Sequence, residues 1–171
     1  MAVTFAKANL RVVQGPLGLS QTLLHGPEGA AQTFVKDDLL QYSSGDLVIA
    51  AAADTPELLV GLSTHAASGV TDQAAQFQPF LPGTLIEATL LDAAAADFAF
   101  LDANRFEDYG YQGATGAWYL DKTEVTAADT FARIIDTTFF LTTAGLWKKG
   151  VAGDTNVRVL ALIVHSAWID A

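Results

Sequence analysis

The feature that most limits what this chain can fold into is the shortness of its apolar runs and the regularity with which they are cut. From Gln32 onward, β-prone segments a few residues long alternate with Gly, Pro and Asp. Thr33-Phe34-Val35 is the first. Gly45-Asp46 signals a turn before Leu47-Val48-Ile49, and Asp54-Thr55-Pro56 breaks the chain before Leu58-Leu59-Val60-Gly61-Leu62. Pro79, Pro82 and Gly83 precede the run from Thr84 to Leu91. Ala117-Trp118-Tyr119-Leu120, Thr130 to Asp136, Thr137 to Thr143 and Val157 to Val164 come next, with Ala144-Gly145, Lys148-Lys149-Gly150 and Gly153-Asp154 as turns between them. Gly and Pro punctuate local structure because one needs no Cβ clearance and the other donates no backbone N–H. Short strands at this spacing predict a mainly β fold, a compact barrel or sandwich. The unbroken apolar character of Val159 to Val164 predicts a strand covered on both faces.

Two segments depart from this pattern. Asp92 to Ala96 is alanine-rich, Asp97 can cap a helix starting beside it, and Phe98 and Leu101 share a helical face. One short helix is therefore predicted over residues 95–109, ended near Gly110. The stretch from Met1 to Ala31 carries Gly15-Pro16, Gly18, Gly26-Pro27 and Gly29 among several leucines. It reads as an extended N-terminal arm (1–31) beside a β-rich domain (32–171), or equally as an irregular edge of that same domain. Its apolar residues Phe5, Leu10, Val12, Leu17, Leu19, Leu23 and Leu24, together with Trp168, are the candidate interface residues.

Composition narrows the chemistry. With 171 residues, the chain can bury a core without disulfides or metal. It has no cysteine, which removes disulfides, thiolate metal sites and thiol nucleophiles, and fits folding in a reducing cytoplasm. Nineteen acidic residues against nine basic ones give a net charge of −10, a field that repels phosphate, so nucleic acid is not an expected partner. The first residues lack a signal peptide's apolar core, and no stretch reaches the roughly 18 apolar residues of a membrane helix.

No catalytic pattern stands out. His25, His65 and His165 belong to no HxH or HExxH motif. Ser63 and His65 lie two apart on one predicted strand, without the nucleophile elbow of a hydrolase. Asp37, Asp38, Asp92, Asp97, Asp102, Glu107 and Asp108 read as caps and solvated carboxylates, without the ligand spacing of a calcium loop. Gly113-Ala114-Thr115-Gly116 precedes a strand, not the helix a phosphate cradle requires, and reads as a hairpin or loop connection. No catalytic, cofactor-binding or metal-ligating residue is expected, and no enzymatic activity. Tyr109, Tyr111, Trp118 and Tyr119 cluster around that loop and could form a sugar-stacking platform, although core positions are the commoner use of such side chains.

The order of segments resembles a family of tailed-phage head decoration, or capsid cement, proteins. The resemblance runs through Gly45-Asp46-Leu47-Val48, Leu58 to Ser63, Pro82-Gly83-Thr84-Leu85-Ile86-Glu87-Ala88, Tyr109-Gly110, Trp118-Tyr119-Leu120-Asp121, Phe131 to Asp136 and Val157 to Leu160. It covers roughly Gln32 to Trp168, and the segments before Ala31 and from Thr137 to Lys149 are longer than the pattern requires. It implies a β-tulip-like body and a homotrimer seated on the outer surface of a phage capsid at capsomer junctions. The major capsid protein would be the partner and the virion the location, after synthesis in the host cytoplasm. A carbohydrate-binding β-sandwich and a small hydrolase assembled from distant His and Asp residues are the alternatives from other classes.

Overall fold

The computed structural model describes residues 9–15, 23–51, 56–91, 106–125, 130–141, 145–150, 154 and 156–169. Among these residues thirteen strands build two closely joined β units and one separate hairpin.

The first unit is a closed barrel. Its strands are β7 (Leu85–Leu91), β8 (Asp108–Ala114), β9 (Ala117–Asp121), β10 (Ala132–Thr137) and β13 (Arg158–Ile163). Their order around the barrel is β7-β13-β10-β8-β9, and a short parallel pairing of Leu90 and Leu91 with Leu120 and Asp121 returns β9 to β7. The other pairings in the ring are antiparallel. β1 (Arg11–Gln14) lies along the Leu85–Glu87 part of β7. Closure removes the unpaired backbone groups that a free edge would expose. Alternation then decides what fills the barrel: Ile86, Ala88, Leu90, Tyr109, Tyr111, Trp118, Leu120, Ile134, Val159, Ala161 and Ile163 form one buried cluster. Phe131 packs edge-on to Tyr111 at 5.6 Å between ring centroids and against Phe80 at 5.4 Å.

The second unit is a five-stranded sheet ordered β2-β6-β5-β3-β4, from β2 (Leu24–Pro27), β3 (Leu39–Ser43), β4 (Asp46–Ile49), β5 (Leu59–Ser63) and β6 (Ala74–Pro79). It curls until its outermost strands meet: Glu28, just past β2, makes a parallel bridge to Leu47 of β4, and the Gly29 N–H donates to the Leu47 carbonyl at 2.9 Å. β3 and β4 are joined by Ser44-Gly45, both at positive φ (54° and 96°), the geometry of a tight hairpin turn. At Gly61 in β5 a Cβ would stand 2.1 Å from the Gln78 carbonyl oxygen, so the β5–β6 approach requires glycine. Phe34, Leu40, Leu47, Val60, Ala75 and Phe77 form this sheet's own core. Leu39, Leu59, Leu62 and Phe80 point the other way into the barrel cluster, so the two cores adjoin.

The mainly β architecture with a barrel is as the sequence predicts, and several details differ. Thr33-Phe34-Val35 is not a strand, because the Val35 N–H is taken by the Asp38 carboxylate at 2.7 Å and leaves no ladder partner. Of the helix predicted over 95–109, residues 95–105 lie outside the described ones. Its expected end, Asp108 and Tyr109, is strand, paired with Arg133 and Ala132 of β10. Lys148-Lys149 is strand where a turn was predicted. The described parts of the N-terminal segment are woven into the body: Arg11–Gln14 pairs with the barrel and Leu24–Pro27 with the second sheet.

Candidate interaction surface

β11 (Phe139–Leu141) and β12 (Trp147–Lys149) pair only with each other among the described residues, through Phe139–Lys149, Phe140–Lys148 and Leu141–Trp147. Their base is fixed to the barrel. Lys148 Nζ donates to the fully buried carboxylate of Asp154 at 2.8 and 3.0 Å, and Lys149 Nζ reaches Asp136 at 2.8 Å. Gly150 lies so close to Val157 that a Cβ would meet Val157 Cγ1 at 2.3 Å. Beyond this base, Leu146 is 68% and Trp147 72% exposed, the largest exposures among the described large apolar side chains. A tryptophan held in water on an anchored ribbon is the composition of a protein-docking anchor.

The rest of the molecule spends its buried charge internally. Five carboxylates are buried among the described residues: Glu28, Asp38, Glu87, Asp121 and Asp154. Asp38 joins the two units. One oxygen accepts the Gly116 N–H at 2.6 Å and the Trp118 indole N–H at 2.9 Å, while the other holds Val35. Ser63 Oγ accepts the Asp38 N–H at 3.1 Å and donates to the Val35 carbonyl. Glu28 fastens the loop after β5, accepting from the Ser68 N–H and hydroxyl and the Gly69 N–H at 2.6–3.0 Å. Asp121 caps its own turn through Thr123.

Glu87 belongs to an ionic cluster with Arg11, Arg158 and Thr138. Arg11 contacts its carboxylate from the exposed side, Arg158 from the interior at 3.3 Å, and the Thr138 hydroxyl donates to it at 2.6 Å. Burial raises its pKa, and the Thr138 hydroxyl with the two guanidinium groups outweighs that, so the carboxyl stays below its ordinary range. Arg158 is only 2% exposed; burial pulls its pKa down against the pull of Glu87 in the other direction. It also donates to the Asn9 carbonyl at 3.0 Å, which fastens the start of β1 across the barrel wall.

The expected interface residues are distributed differently from the prediction. Phe5, Leu17 and Leu19 lie outside the described residues. Leu10 and Val12 are buried in the barrel cluster, where the pairing of β1 with β7 places them. Leu23 is exposed and Leu24 is partly buried against the second core. Trp168 is partly buried against both cores, and its indole N–H donates to the Val60 carbonyl at 2.7 Å, so it seals the seam between the units. Tyr109, Tyr111 and Trp118 are inside the barrel, which leaves no sugar-stacking platform at that hairpin. The sequence places a turn at Lys148-Lys149 and offers both Trp147 and Trp168 as aromatic anchors, with Trp168 preferred for its place near the chain end; the signal for Trp147 was a tryptophan between a turn glycine and two lysines.

The histidines do not assemble a reaction centre among the described residues. His25 and His65 are exposed and linked only indirectly: His25 contacts the Gln76 amide at 3.2 Å, Gln76 accepts from Thr64, and Thr64 contacts His65 at 3.2 Å. His165 is elsewhere, its N–H donating to the Phe131 carbonyl. No group of three His, Asp or Glu residues able to hold a metal occurs among the described residues. A cavity of about 380 Å³ between β1 and the second sheet is lined by Arg11, Lys36, Asp37, Thr64 and Gln78 and is open and polar. No helix among the described residues is long and apolar enough to cross a membrane. No protein-family model matches the chain, nor does any curated protein sequence.

Proposed function

We propose that this protein is a structural, non-enzymatic virion component that binds the outer surface of a phage capsid at capsomer junctions as a homotrimer and stabilises the shell. The observation that carries this reading is the use made of the five buried carboxylates. Four are held by donors that fasten one part of the fold to another, Asp38 to the β8–β9 hairpin, Glu28 to the loop at Ser68-Gly69, Glu87 to β1 and β13 and Asp154 to the β11–β12 ribbon, and the fifth, Asp121, caps its own turn. A carboxylate so engaged is a poor general base, since a base needs a lone pair facing substrate. A cement protein needs what this arrangement supplies, a rigid body that transmits load. The order of segments resembles that of head decoration proteins, and attachment of several copies at once would turn modest contacts into firm retention.

The test is to add purified protein to undecorated capsids and measure co-sedimentation together with the temperature of shell disruption. Saturable binding with a raised disruption temperature supports the proposal; no binding at any concentration overturns it. A carbohydrate-binding module is the alternative reading. With Tyr109, Tyr111 and Trp118 in the core, it would have to rely on Tyr119 or Trp147, and a glycan array tests it directly.

A further inference from the structure

We infer that the β11–β12 ribbon is a homotypic contact, the place where one copy of this chain meets another. Three observations converge on it. A two-stranded ribbon is at best marginally stable in water unless a third strand or a packed face supports it. β11 and β12 form such a ribbon, joined to neither sheet among the described residues, yet their base is fastened by Lys148–Asp154, Lys149–Asp136 and the Gly150–Val157 contact. Beyond that base, Leu146 and Trp147 stand in water, a combination that burial in an interface would relieve.

Charge selects the occupant. Two copies carrying −10 each repel, but at physiological salt the repulsion is screened beyond about 8 Å, so the residues in contact decide the outcome. Between Asp136 and Asp154 the sequence holds no carboxylate and two lysines. Both lysines already neutralise the flanking aspartates. Two ribbons can therefore meet without bringing like charges together and without leaving a buried charge unpaired. A strongly basic partner would gain little here, because the ribbon offers it no free carboxylate. The inference deepens the oligomeric part of the proposed function and does not depend on the capsid.

The test is sedimentation equilibrium of the full chain over a wide concentration range, beside Trp147→Ser, Trp147→Phe and Leu146→Glu. The wild type is expected to self-associate, Trp147→Ser to weaken association about 30-fold, Trp147→Phe to retain most of it, and Leu146→Glu to abolish it by placing a carboxylate at the contact. Far-ultraviolet circular dichroism and melting temperature are measured on each variant at a concentration too low for association, where all are expected to match the wild type. Iodide quenching of tryptophan is expected to fall as the wild type associates, since Trp118 and Trp168 are already shielded. A wild type that stays monomeric throughout overturns the inference even if it binds capsids. An oligomer that Trp147→Ser leaves intact also overturns it. Loss of the oligomer in that variant upholds it even if no capsid is ever bound.

Discussion

The seam between the two β units and the β11–β12 ribbon both rely on carboxylates, with opposite consequences. At the seam, Asp38 is out of water and bonded to the Val35 N–H beside it and to two N–H groups of the distant β8–β9 hairpin. The ribbon holds both kinds: Asp154 is buried and bonded to Lys148, whereas Asp136 is half-exposed and bonded to Lys149, a lysine exposed to about the same degree. A buried charge left without its donors keeps its desolvation penalty, whereas an exposed one simply rehydrates. Chemically similar contacts thus hold the fold rigid at Asp38 and Asp154 and only steer the ribbon at Asp136.

The sharpest way to break this comparison is at Glu87. Replacing it with Gln leaves Arg158 its backbone acceptors but removes the Glu87 charge beside it in the barrel wall, and a loss of about 3 kcal/mol is expected in urea unfolding at neutral pH. The effect should depend on pH with a definite sign. The folded-state pKa of Glu87 lies below the ordinary value of 4.5, so its stabilisation is complete above that value and is lost as pH falls through the lower folded pKa. The stability gap between wild type and Glu87→Gln is therefore expected to narrow as unfolding is repeated at progressively lower pH below 4.5. A gap that stays constant would mean that the carboxylate's charge contributes nothing.

Asp38→Asn comes next. It keeps the shape but loses the charge that two N–H groups on one oxygen share, and about 1–3 kcal/mol of destabilisation is expected by thermal melting. Combining it with Trp118→Phe should give less than the sum of the single effects, because both remove the same hydrogen bond. At the ribbon, Lys149→Ala is expected to change stability by less than about 1 kcal/mol in the same assay. A larger loss there would erase the distinction between the two regions.

How far the sequence revealed this structure depended on whether the cause was local. The hairpin turns at Ser44-Gly45 and at Gly116 rest on residues that tolerate positive φ, and both lie where the sequence places a turn or loop connection. β6 escaped notice because Ala74-Ala75-Gln76-Phe77-Gln78-Pro79 is poor in β-branched residues, and its strand state comes from neighbours on both sides. Tyr109 and Tyr111 share a strand face two residues apart, a period-two signal of inward pointing that the loop beside them obscured. The contacts that unite the molecule were not readable at all. Asp38 meets Gly116 and Trp118 across 78 and 80 residues, and Arg158 meets Asn9 across 149, separations at which no spacing rule operates.

The strand order of the barrel also sets a timetable for its synthesis. The second sheet draws on residues 24–79 and has all its strands as soon as that stretch has left the ribosome. The barrel does not, because β13 stands between β7 and β10. Until residues 158–163 emerge, β7 and β10 have no shared neighbour, and β1 has only half a wall to join. From the synthesis of β7 until that of β13, the nascent chain carries a finished sheet beside an unclosed set of apolar strands, the interval in which pairing with the wrong chain is easiest.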